Sequence, residues 1–143
     1  MRRLLTHTAL LALLGGAIAS PATGAPTTTP AKPATTTILR GVFTDSAKYT
    51  GTGSVSVTRR AGVRKLRVAR NFRADPGAIR LRMYLATTPS GDRFIDLGPM
   101  RETGAQSFRV PTGVNLSTYR YAIAWCAAVD EPITQAKLVR SRR

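Results

Sequence analysis

The sequence predicts an all-β fold: a single antiparallel β-sandwich or flattened barrel of about eight short strands, after a signal peptide and a Pro/Thr-rich tether. Two observations carry this. Apolar residues recur at every second position in short runs, the period at which side chains share one face of a strand. Gly, Pro, Asn and Asp fall between those runs, where the chain must turn.

The N-terminus fixes the expected compartment. Met1, Arg2 and Arg3 form a short basic segment, residues 4–18 are mostly apolar, and Ala17-Ile18-Ala19 is a small-residue cleavage pattern. The expected signal peptide is therefore 1–19, and the mature protein is expected to be secreted, periplasmic or attached to the cell envelope. Thr6, His7 and Thr8 interrupt the apolar run, which is short for a membrane span and has no stop-transfer flank. Residues 20–37, "SPATGAPTTTPAKPATTT", bury nothing and are expected to form a flexible or semi-extended linker. The domain is expected over 38–143, roughly a hundred residues, a size that suits one core.

Strands are expected at 38–43, around Val55 and Val57, around Leu66 and Val68, and at 79–85, 93–97, 106–110, 119–129 and 133–139. In 79–85, Ile79, Leu81, Met83 and Leu85 alternate with Arg80, Arg82 and Tyr84. Turns are expected at 51–53, Ala61-Gly62, 75–77, 89–92 and 111–113. The 119–129 strand, "YRYAIAWCAAV", is apolar on both faces and so reads as central. Tyr121, Ile123, Trp125 and Ala127 share one face, and Ala122, Ala124, Cys126 and Ala128 the other.

Composition excludes much chemistry. The net charge is +15, which becomes +13 once the signal removes Arg2 and Arg3. The sole histidine, His7, leaves with the signal, so a histidine-based triad, an imidazole zinc site and a His-ligated haem are excluded from the mature chain. One cysteine cannot make an internal disulfide or a multi-Cys metal site. Nothing pairs Asp96 with Glu102 as a catalytic acid and base, and no independent turnover is expected.

Five segments, "GVFTDSAKYTGTGSVSV", "LRVARNF", "MYLA", "DLGPMRETGAQSFRVP" and "YRYAIAWCAAVDEPITQAKL", stand in the order and spacing of the DM-thirteen domain, named for a proposed electron-transfer role. The chain resembles that family from Gly41 to Leu138. The resemblance implies a small all-β extracytoplasmic domain, found alone or beside DOMON and b-type cytochrome modules. Its cysteine, matched here by Cys126, is implied to be a redox thiol or the ligand of a prosthetic group such as haem. Two departures stand out: Tyr49 replaces a histidine present in many members, and Pro76-Gly77-Ala78 replaces Pro-Asp-Leu.

Cys126 has three readings: a small residue filling a central strand, a redox or cofactor-ligating group, or an intermolecular disulfide. Its expected site neighbours are Ala124, Trp125 and Ala128, and the alanines leave open whether there is space above the sulfur. If the group is haem, Met100 in its loop is the candidate second ligand, while Met83 belongs to the core. Trp125 with Tyr121 is expected to be a core aromatic pair, and core packing is expected for Phe43, Phe72, Phe94 and Phe108.

The arginines offer an alternative function. If the strands near 64–69 and 79–85 pair through 71–77, then Lys65, Arg67, Arg80 and Arg82 form one outward cationic stripe. Such a face would hold anionic envelope polymers, lipid head groups or an acidic partner protein, whereas the redox reading favours a membrane-bound or envelope redox partner. Nucleic acid is disfavoured, because the chain is expected to be exported and no aromatic surface is expected for stacking.

Overall fold

The computed structural model describes residues 24–75 and 77–142. The expected signal peptide, the first residues of the expected linker, Pro76 and Arg143 lie outside the described residues. Residues 24–35 have no regular secondary structure and are exposed. The folded unit begins at Lys32.

Eleven strands follow, and no helix occurs among the described residues. They are β1 (Thr36–Asp45), β2 (Gly51–Thr52), β3 (Ser54–Arg60), β4 (Val63–Val68), β5 (Arg73–Ala74), β6 (Leu81–Ala86), β7 (Phe94–Pro99), β8 (Gln106–Arg109), β9 (Tyr121–Cys126), β10 (Glu131–Lys137) and β11 (Val139–Arg140). Eight of them form one antiparallel sheet in the order β7-β6-β9-β10-β1-β3-β4-β8, with β11 added to β1. The edge strands β7 and β8 approach each other, so the sheet is nearly closed into a barrel. All eight expected strands are present. The short β2-β5 pair is an addition, with Gly51 opposite Ala74.

Period two builds the interior. In β4, Leu66 and Val68 are buried while Lys65 and Arg67 are exposed, and in β3 Val55 and Val57 point inward. Leu81, Met83 and Leu85 of β6 meet Ala122, Ala124 and Cys126 of β9 in one buried cluster with Leu66, Phe72 and Ile133. Phe43 and Phe72 pack edge to face at 4.8 Å within it. The β3–β4 hairpin turns on Ala61 and Gly62, whose φ values of 46° and 79° are both left-handed, as a two-residue turn matched to strand twist requires.

Three expectations change. The strand expected from residue 79 starts at Leu81, because Arg80 takes φ 55° and breaks the alternation; Ile79 is left 62% exposed rather than in the core. The strand expected over 119–129 is shorter, since 127–130 form the turn into β10. Phe94 and Trp125 are outside the main core. Phe94 stacks on Tyr84 at 4.2 Å and Tyr84 on Trp125 at 5.5 Å, forming an outer aromatic ladder over Ile123 in which Phe94 is 51% exposed. The periodicity did not anticipate this second aromatic cluster, in which Tyr84 is buried between Phe94 and Trp125.

Candidate functional site

Cys126 is the last residue of β9, and its side chain faces inward beside Ala122 and Ala124 because β9 alternates cleanly. β9 is central: Cys126 is paired with Leu81 of β6 on one side and Glu131 of β10 on the other. Cys126 is almost fully covered, at 3% exposure, and its S–H donates to the carbonyl oxygen of Ile79 at 2.9 Å. Ala127 N–H in turn donates to the Arg80 carbonyl at 3.2 Å. The irregular chain just before β6 thus lies directly against the end of β9, and a backbone carbonyl caps the thiol.

The alanines do not leave a void. Ala124 sits between Met83 and Thr134 and, with Ala122, is completely buried. Cys126 lines none of three well-formed surface concavities, and is itself only 3% exposed. A haem ligated by Cys126 therefore does not fit these residues, since no open face reaches the sulfur.

Charged groups gather at the same end of the sheet. Glu131 opens β10 directly opposite Cys126. Its carboxylate forms an ion pair with the Lys48 ammonium and accepts a hydrogen bond from the Tyr49 hydroxyl at 3.0 Å. A tight turn places both partners, with Ser46 N–H donating to Tyr49 O at 2.9 Å and Tyr49 N–H to Ser46 Oγ at 3.2 Å. Tyr49 also packs against the cluster containing Cys126. The hydrogen bonds from Lys48 and Tyr49 hold the Glu131 carboxyl below its ordinary range. The same hydrogen bond to Glu131, followed by burial, raises the Tyr49 phenol. The arrangement is a capped thiol with a Lys48–Glu131 ion pair beside it, to which the neutral Tyr49 hydroxyl donates.

The expected neighbours divide. Ala124 shares the face of the sulfur, while Trp125 lies on the opposite face and donates its indole N–H to Asp130 Oδ1 at 3.2 Å. Ala128 is exposed in the turn and does not lie over the thiol, because β9 ends at Cys126. Met100 packs against the same core and its N–H donates to Leu81 O, but it opens into a separate concavity of about 430 Å³ with Phe108 and Gln106. Met83 is fully buried core. Lys48 and Glu131 were missed; the one hint to this group in the sequence was Tyr49 at the position of a family histidine.

The expected stripe of Lys65, Arg67, Arg80 and Arg82 does not form. β4 pairs with β3 and β8, and β6 with β7 and β9, so the four residues are not on one face. The physical reason is the segment after β4, which is not a hairpin loop. Asn71 Oδ1 accepts from Ser54 N–H and Oγ, Phe72 enters the core, and β5 pairs with β2, carrying the chain to the other half of the sheet. Arg82 pairs with Asp96 at 2.6 Å, and Arg80 stands outside any strand.

A family model described as Electron transfer DM13 matches residues 42–138. No curated protein and no solved structure matches the chain.

Proposed function

Because the chain belongs to the electron transfer DM13 family, we propose that it is an accessory redox module whose working group is the Cys126 thiol itself, with no prosthetic group bound to the sulfur. The observation that carries the reading is the position of Cys126: at a strand end, capped by the Ile79 carbonyl, beside the Lys48-Glu131-Tyr49 group. A thiol held deep in the barrel could meet no partner. Here, displacement of one irregular segment uncovers it, and local opening of that kind costs less than global unfolding.

The chemistry is that of a lone cysteine. A peroxide transfers one oxygen to the sulfur, giving the sulfenic acid, and its other oxygen leaves as water or an alcohol. A partner thiol condenses with the sulfenic acid to a mixed disulfide, releasing water, and a second thiol restores Cys126 by exchange. The chain then relays two electrons from thiols to the oxidant.

Intact-mass measurement of the folded protein tests the cycle. Dilute hydrogen peroxide is expected to add one oxygen to the wild type and none to Cys126→Ser, and a small thiol is expected to reverse the addition. Oxidation confined to methionine, with Cys126 still a thiol, contradicts the reading.

A further inference from the structure

Two cations of the expected stripe, Lys65 and Arg67, belong instead to a different cationic face. On the outer face of β1, β3, β4 and β8, cross-strand register places Arg40 opposite Ser56, Ser56 opposite Arg67, and Arg67 opposite Ser107. The next row places Lys65 directly opposite Arg109. Arg40, Lys65, Arg67 and Arg109 are all exposed. A shallow trough of about 740 Å³ runs over this face, lined by Arg40, Val42, Ser54, Ser56, Arg67 and Lys137.

Among the described residues no carboxylate forms an ion pair with these cations. The two ion pairs among the described residues are Lys48–Glu131 and Arg82–Asp96, both away from this face. Like charges directly across a ladder are destabilising, so the Lys65–Arg109 pair is a standing cost that a bound anion relieves. Adjacent strands lie about 4.8 Å apart, so the four cations are spaced at roughly 5–10 Å over a hydroxyl-bearing floor.

We infer that this face binds a linear acidic polysaccharide, one with a carboxylate on successive sugars. Carboxylates meet the cations, and sugar hydroxyls meet Ser56 and Ser107. Two other polyanions fit less well. A lipid surface needs apolar groups to enter it, and the exposed apolar side chains of this face are three valines, Val42, Val63 and Val139. A single-stranded nucleic acid needs rings to stack on. The aromatic ladder, exposed only at Phe94, belongs to β6, β7 and β9, on the other half of the sheet. The export that the N-terminus predicts would bring the face to such polymers. The inference uses none of the residues around Cys126 and stands apart from the redox reading.

Retention of the full chain on immobilised alginate tests it, with neutral dextran as the blank. The wild type is expected to bind and to elute with salt, as exposed charges are screened. Arg40→Gln, Lys65→Gln, Arg67→Gln and Arg109→Gln together are expected to weaken binding at least about tenfold, since single exposed pairs are weak but four act on one polymer chain. A control carrying Lys32→Gln, Arg73→Gln, Arg120→Gln and Arg142→Gln, with the same change in net charge, is expected to stay within about threefold. Alginate is also expected to raise the melting temperature of the wild type and the control but not of the face variant, which keeps the test independent of folding yield. Equal loss in both variants overturns the inference, as does tighter binding to phosphatidylglycerol vesicles or to single-stranded RNA at matched charge concentration.

Discussion

Cys126 owes its inertness to one contact and its reach to the same contact. Its S–H is spent on the Ile79 carbonyl, and Ile79 itself is mostly outside the fold. Cys126→Ser keeps a donor for that carbonyl and is expected to cost little stability. Cys126→Ala leaves the carbonyl short of a partner and is expected to cost about 1–2 kcal/mol in denaturant unfolding. Glu131 has a measurable signature in pH. Its carboxyl lies below its ordinary range in the fold, so it contributes stability above the unfolded value of about 4.3, and the contribution is lost as pH falls through that range. Glu131→Gln is expected to flatten the acid limb of the melting curve between about pH 5 and 3, and an unchanged limb would show that the ion pair is without effect. The face of Cys126 was legible in the alternation of "YAIAWC". Its cap was not, because a backbone carbonyl 47 residues away in the chain leaves no pattern in residue types.

At the scale of elements, β9 is a central strand fitted closely to its neighbours. Ala124 is completely buried between Met83 and Thr134, so Ala124→Leu forces overpacking and is expected to cost about 1–3 kcal/mol, or to prevent folding. The β3–β4 hairpin is expected to behave in the opposite way. Ala61 holds φ 46°, where a side chain with Cβ is strained, so Ala61→Asn should stabilise by about 1 kcal/mol, read as a higher melting temperature. Alternation and turn residues sufficed for eight strands and this turn. They failed after β4, where Asn71 and Phe72 serve Ser54 and the core, so proximity in sequence between β4 and β6 does not become pairing in space. The outer aromatic ladder escaped for a related reason: its members come from β6, β7 and β9, and only the sheet order brings them together.

The folded unit is a cationic, nearly closed sheet. Twenty-two basic residues stand against seven acidic ones, and two like-charged pairs, Lys65–Arg109 and Arg59–Arg64, lie directly across the ladders. Self-repulsion on that scale opposes compaction, and salt screens it within about 10 Å at 0.1 M. The melting temperature is therefore expected to rise from low to moderate sodium chloride, and a fall would mean that the ion pairs outweigh the repulsion. The nearly closed sheet buries the thiol, and its cap comes from the irregular segment before β6. The most direct test is the reaction rate of Cys126 in the folded protein with a small aromatic disulfide, set beside the exchange rate of the β9 amides. The redox account predicts that the thiol reacts much faster than β9 opens, because only its cap must move. Reaction no faster than β9 exchange would mean that the thiol is reached only by unfolding, and would contradict it.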